Sequence, residues 1–528
     1  MNADKDERSL GRRDFLRLGA AAAGIGLFQT CGPVPPTWAA TASKGGEPKR
    51  GGTFTLARTT AIQEFNPFSI NPGHHPFMRA LWNTLGRYDP QLNLKPDLAE
   101  KWEFSADGKM LALKLRQGVK FHSGREFSAE DVKASVEFGQ TNDRALFMAL
   151  FKTIKQVETS DKYTVAFKFD SVNPGAFDML DALWIIDRET VQDRGKTAVG
   201  TGPFKLDKYV PNDHLEMSAF KDYWERGKPY LDRYVVRQVP DPASLAINLE
   251  SGAVDCIYQP AYVDAARLQS TGGKYVVERG APGSSIYDVA LNVKVEPFTS
   301  KKARQAIAWS IDRARFCKTI LQGLSEPSCL MWPPHSWAYC KDLEGSIGFD
   351  LDRAKALLKE AGLDKGFDVE IVCSSGFVSG SAPLAQLIQS DLKKIGVNAK
   401  VADLETSLYQ SRTQTKRDIV MMTHSYGRAG RDPGSMLTGA KAWYTDKEGS
   451  WTHYESAEYE RLRQNMQSTL DREKRKAIAR QIQELVLDEC FTIPVAEVPR
   501  VFVYGSYLKG FGKDMDNCPF VADFWLEK

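Results

Sequence analysis

The sequence predicts an α/β protein of more than one lobe. The chain has 528 residues, more than the roughly 250–300 that one hydrophobic core serves. Its front half reads as short alternating strands joined by tight turns. Its back half reads as strands separated by amphipathic helices, the pattern of βαβ units.

The elements follow in chain order. Arg12-Arg13-Asp14-Phe15-Leu16-Arg17 runs into an eleven-residue apolar stretch from Leu18 to Phe28. That stretch is too short to span a bilayer core of about 30 Å as a helix, and twin arginines before it read as an export signal. Ala40-Thr41-Ala42 supplies the small residues a signal peptidase needs, so 1–42 is expected to be a twin-arginine signal peptide with Ser43 first in the mature chain. Gln29-Thr30 before Cys31 does not suit a lipid-attachment site. Residues 43–50 read as a flexible leader.

Gly51 to Leu56 begins the first strand. Trp102-Glu103-Phe104, the turn Ala106-Asp107-Gly108-Lys109, and Leu111 to Leu115 form a hairpin, since Asp-Gly suits left-handed turn positions and Leu111, Leu113 and Leu115 share one face. Ser128, with Asp131 three residues on, marks a helix start. Lys162 to Phe169 alternates as an exposed-edge strand. Ser300 caps a helix with Ala303, Ile307 and Ile311 on one stripe, and Asp350 caps another that Gly362 closes. Phe367–Val372, a helix near Pro383–Ile395, and Val397–Leu404 form a βαβ unit. Asp418–Met422 is a strand buried on both faces. A charged helix from Ala457 to Leu487 breaks near Asp471.

Composition narrows the function. The mature chain carries 65 Lys and Arg against 63 Asp and Glu, so no strong field draws nucleic acid or an anionic membrane surface. No later apolar run approaches the length of a membrane span. Seven cysteines remain after the signal, an odd number that leaves a free thiol in an oxidising compartment. Cys329 and Cys340, bracketing a Pro-rich loop, are the pair most readily joined. None has the spacing of a zinc or thioredoxin motif.

Several segments share one resemblance. Asn66-Pro67-Phe68, Leu94-Lys95-Pro96-Asp97-Leu98-Ala99-Glu100-Lys101-Trp102, and Leu115 to Gly124 come in order. Phe127 to Val132, Gly200-Thr201-Gly202-Pro203-Phe204, Tyr223-Trp224, Gly252-Ala253-Val254-Asp255 and Ala354 to Gly362 follow. Together they resemble the extracellular solute-binding proteins of family 5, which serve oligopeptide, dipeptide and nickel ABC importers. The likeness spans about residues 50 to 510. It implies an α/β two-lobed periplasmic-binding-protein clamshell with an extra subdomain in the first lobe. Lobe I would be 51–295 with the subdomain near 86–197, lobe II 296–490, and 491–528 a return to lobe I. Strands at Val289–Val293 and Thr492–Val503 would carry the crossings. Most of the motifs are scaffold: a rigid turn, a hairpin, a capped helix.

The resemblance also points to a cleft. His74 and His75 lie in a loop that faces the cleft in this family; they suit a metal, a ligand hydrogen bond or plain solvation. Arg144 and Phe147 lie where some nickel- and opine-type members line the cleft. Trp184 is a candidate stacking wall, as are Trp332 and Trp443. Thr423 to Pro433 follows the buried strand, and Tyr426, Gly427, Arg428 and Arg431 are its ligand candidates. Peptide-binding members place an aspartate four residues before that proline. Here Ala429 stands there, between arginines suited to carboxylate or phosphate, which favours an anionic solute or a chelated metal.

The expected function is a periplasmic binding component that hands a peptide-like or other small solute to the transmembrane subunits of an ABC permease. It would act as a monomer, without cofactor, metal or nucleic acid, after handling by the Tat translocase and signal peptidase. The alternatives are a Tat-exported cofactor or metal-dependent enzyme and a peptide-binding chaperone. The enzyme reading finds no GxSxG, HExxH, P-loop, GxGxxG or iron–sulfur spacing.

Overall fold

The computed structural model describes residues 47–60, 65–68, 75–89, 93–141, 148–190, 198–280, 285–427 and 431–528. The export signal and the first half of the leader, 43–46, lie outside them. Among the described residues no helix is long and apolar enough to cross a membrane.

Two large sheets organise the chain. A seven-stranded sheet runs Tyr275–Arg279, Val501–Gly505, Cys256–Tyr258, Thr53–Arg58, Arg233–Gln238, His214–Ala219, Phe204–Val210. Its central strand Thr53–Arg58 is parallel to both neighbours. One face packs Phe54, Leu56, Tyr234 and Phe502 into an aromatic core. The other face takes the helices Pro242–Glu250 and Tyr262–Gln269.

A five-stranded sheet runs Asn398–Asp403, Asp368–Cys373, Met421–Gly427, Ser285–Leu291, Thr492–Glu497. Its first three strands are parallel, and Ser285–Leu291 is antiparallel to both neighbours. The expected βαβ unit is here, with its helix at Ser381–Lys393. Of the two segments read as crossings, Val289–Val293 falls at the end of this sheet's strand Ser285–Leu291, whereas Thr492–Val503 holds a strand of each large sheet. The chain passes between the sheets from Arg279 to Ser285, ahead of the first segment, and from Glu497 to Val501, inside the second, so Ser285–Leu291 stands with the second sheet rather than the first.

A third, antiparallel sheet of four strands runs Ala99–Phe104, Met110–Leu115, Thr164–Phe169, Ile154–Asp161. Leu111, Leu113 and Leu115 are fully buried in its core. Gly108 takes φ +67° at the turn, and Asp107 accepts from Ser105 Oγ at 2.6 Å. Thr164–Phe169 is not the edge that its alternation suggested. Ile154–Asp161, whose charged residues hide its pattern, pairs along its outer side.

Local signals at the helices hold. Ser300 Oγ accepts from the amide of Ala303, and Asp350 accepts from that of Arg353. Gly362 sits at φ +74°. The charged helix divides into Ala457–Ser468 and Arg472–Glu489, with Asp471 capping the second. The Cys329–Cys340 pairing is corrected: all seven described cysteines are free thiols. The Cys329 thiol faces the carbonyl of Leu343, whereas that of Cys340 faces the carbonyl of Ala338.

Candidate functional site

Both large sheets turn the carboxyl ends of parallel strands toward the crossings. In the first, Arg279 pairs with Val501 and Tyr258 with Phe502, while Arg58 is level with Gln238. In the second, Ser285 pairs with Gly427, and Cys373 is level with Asp403. Open α/β sheets bind ligands just beyond the carboxyl ends of their strands. Here two such ends share one interface.

Charge concentrates in that interface. Arg79, on the helix His75–Leu81, reaches Asp97 at 3.2 Å, Asp181 at 3.1 Å and Asp514 at 2.8 Å. Its guanidinium lies 4.8 Å over the Trp184 ring. Arg431, just beyond the strand Met421–Gly427, pairs with the same Asp181 and, at 2.9 Å, with Asp516. The arginine follows a five-stranded-sheet strand, whereas Asp181 lies on the helix Ala176–Ala182 of the four-stranded sheet's core. Arg431 therefore ties the two halves together. Burial works against its charge, but Asp181, Asp516, Asp178 and Asp514 outweigh it and hold the pKa above the usual value.

Carboxyl groups in the interface respond to crowding. Burial first, then the repulsion of Asp432, raises Asp178 to about 7, with Arg431, Tyr88 and Ser435 pulling the other way. The Tyr88 hydroxyl donates to Asp178 at 2.7 Å. Asp432 accepts both arms of Arg475 at 2.7 and 2.6 Å and caps the helix Pro433–Gly439. At Gly175, a Cβ would stand 2.7 Å from Ser435 Oγ, so the halves meet there without room for a side chain.

Residues 93–448 match the family of bacterial extracellular solute-binding proteins, family 5 middle region. The chain belongs to that family. Its members are solute-binding components of ABC importers rather than enzymes, and that is the function of this protein. It is 30% identical to di/tripeptide-binding protein 2 of Pseudomonas aeruginosa over 76% of this chain and 80% of that one. To the dipeptide-binding protein of Escherichia coli it is 28% identical, with the same coverage. Among solved structures, a periplasmic binding protein from Helicobacter pylori in complex with the peptide STSA superposes with a TM-score of 0.78 at 25% identity, covering 91% of this chain and 99% of that one. The fold is the two-lobed one of periplasmic binding proteins.

In this family 5 protein the candidates read from sequence separate. Arg431 is 3% exposed and engaged with aspartates. Trp184, also 3% exposed, packs under Arg79 rather than offering an open face. Tyr426 is buried, donates to the carbonyl of Met331 at 3.1 Å and meets Trp443 edge-on. Trp332 and Trp443 lie in the same core. Gly427 is exposed at the strand end, opposite Ser285. Thr423 to Gly427 is strand, not loop, because it pairs at full length with Ser285–Leu291. His74, Arg144, Phe147 and Arg428 lie outside the described residues; His75 opens the helix His75–Leu81. Sequence reading missed Arg79 and its aspartates, although two aspartates in the apolar helix Ala176–Ala182 were a usable signal.

Proposed function

We propose that this family 5 protein captures a short peptide or peptide-like solute between its lobes, in the periplasm, and delivers it to its permease. One lobe is built on the seven-stranded sheet, with the four-stranded sheet as its subdomain; the other is built on the five-stranded sheet. The observation that carries the reading is the facing pair of carboxyl-end strand edges, bridged by Arg431 between Asp181 and Asp516. Peptides named for the relatives and for the H. pylori complex favour this class. Ala429, in place of an aspartate for the peptide amino terminus, favours a second reading: an anionic solute or a chelated metal. The twin arginines Arg12-Arg13 support export through the Tat translocase, and Ala40-Thr41-Ala42 supports signal cleavage before Ser43.

Thermal shift against dipeptides, tripeptides, opines, oligosaccharides and nickel chelates tests the ligand class. A ligand at 100 times its Kd adds about 2.7 kcal/mol of stability, a clear rise in Tm. Stabilisation by peptides is expected; stabilisation by nickel chelates alone selects the second reading. Replacing Arg12 and Arg13 with lysine should retain the precursor in the cytoplasm, and unchanged export would remove the Tat assignment.

A further inference from the structure

Buried arginines in this protein are answered by acceptors. Arg304 holds Glu489 at 2.6 Å, Arg475 holds Asp432, and Arg313 donates to the carbonyl of Pro494 at 3.0 Å. Arg79 and Arg431 hold aspartates. Arg58 differs. It is 2% exposed, and among the described residues its Nε and Nη1 have no hydrogen-bond partner and it forms no ion pair. Burial pulls its pKa down to about 10, with Tyr258 and Tyr234 pushing back, so it stays charged at neutral pH. An uncompensated buried ion costs several kcal/mol, a cost that a bound anion removes.

Its neighbours share the condition. Arg58 ends the central strand, level with Gln238 on one side; the register Ala57 to Ile257 sets Tyr258 beside it on the other. Alternation along strands puts Arg58 on the face of Phe54 and Leu56, Gln238 on that of Tyr234 and Val236, and Tyr258 on that of Cys256. All these neighbours belong to one core, so the three polar groups form a row. Among the described residues Gln238 Oε1 is buried without a hydrogen-bond partner; the Tyr258 hydroxyl, also buried, faces the Arg500 guanidinium, which can only donate, so the hydroxyl's own proton has no acceptor there. The row occupies the sheet end that faces the crossings, at the carboxyl ends of three parallel strands.

We propose that Gln238, Arg58 and Tyr258 form an anion subsite for the carboxylate end of the bound solute. Arg58 supplies the counter-charge, the Tyr258 hydroxyl donates a hydrogen bond, and Gln238 Oε1 accepts one. A carboxylate with an amide N–H on the adjacent carbon satisfies all three, which describes the C-terminal end of a peptide or an N-acyl amino acid. The inference rests on the binding reading above but not on which solute class proves correct.

The test uses the full mature chain, freed of ligand by unfolding and refolding, as wild type, Arg58→Met and Arg58→Lys. Without ligand, Arg58→Met should melt at or above the wild-type temperature, because it removes a charge with no partner. A fall of several degrees would show that Arg58 is already answered within the fold, and would overturn the proposal. Sodium acetate at constant ionic strength and the dipeptide Ala-Ala should each raise the wild-type Tm. Both should bind Arg58→Met about tenfold or more weakly, with Arg58→Lys between. Ala-Ala amide, lacking the carboxylate, should bind both chains alike and weakly. Ala-Ala binding that is equal in wild type and Arg58→Met defeats the subsite while leaving the peptide reading intact. Acetate binding that needs Arg58, without any peptide binding, supports the subsite and defeats the peptide reading. No response of the wild type to acetate or Ala-Ala defeats the subsite.

Discussion

Two arginine-centred regions lie at the same interface and differ in one respect. Around Arg79 and Arg431, every guanidinium meets carboxylates, and Asp181 serves both. Around Arg58, charge and hydrogen-bond capacity are left unspent. The first arrangement finds its counter-charge within the chain, although among the described residues Arg431 Nε and Nη1 carry no hydrogen bond, and it holds the halves of the molecule together. The second is incomplete within the described chain, which is the condition expected of a group reserved for a ligand. Burial alone therefore does not separate structural from functional charge; the presence of an internal partner does.

The largest effect that tests this contrast is at the shared aspartate. Asp181→Asn keeps the shape but leaves Arg79 and Arg431 short of a counter-charge in a buried site. Breaking a buried pair from one side costs about 3–5 kcal/mol, so the chain should unfold at much lower denaturant than wild type. Arg58→Met should show no comparable loss. Urea unfolding of both variants, followed by tryptophan fluorescence, measures the difference. Equal destabilisation would erase the distinction between the two regions.

Part of this was legible in the sequence, and the boundary is physical. Caps and turns are local: Ser300, Asp350, Asp471 and Asp107-Gly108 act within a few residues, so spacing alone located them. The order of family motifs gave the two-lobed fold. The cleft was not legible in this way. Asp181 and Arg431 stand 250 positions apart in the chain and meet only after two sheets have formed. Arg58 lies at the end of a strand that reads as ordinary alternation, and its lack of a partner exists only in three dimensions. Trp184 and Tyr426 were drawn from chemical type, but aromatic rings also fill cores, and here they do so.

A smaller effect sharpens the contrast through pH. Asp178, at the contact of Tyr88, Asp432, Arg431 and Ser435, has its pKa raised to about 7, chiefly by burial. A carboxyl raised above its unfolded value of about 3.9 binds its proton more tightly when folded. Its stabilising contribution is complete below about pH 4 and is lost as pH climbs through about 7. Wild-type Tm should therefore fall across that window, by the equivalent of about 4 kcal/mol. Asp178→Asn, permanently neutral, should flatten the fall, leaving the share of Asp288, which burial also raises to about 7. Parallel Tm curves for the two chains would show that Asp178 does not titrate in this contact.

The smallest effect concerns the place where the halves touch without a side chain between them. Gly175 has φ −77° and ψ 0°, which alanine adopts without strain. Its added Cβ would stand 2.7 Å from Ser435 Oγ across the interface. Overpacking of this kind costs about 1–3 kcal/mol in a rigid core, and a hydroxyl that can turn away puts Gly175→Ala near the low end. Because the clash lies between halves rather than within one, the cost should fall on their association. Small-angle scattering should show a slightly larger radius of gyration, with little change in denaturant midpoint. Ser435→Ala in the same chain removes the clashing oxygen and should restore the wild-type radius, a coupling that a double-mutant cycle isolates. An expansion that persists in the double variant would place its cause within one half, and the contact at Gly175 would then play no part in holding the interface shut.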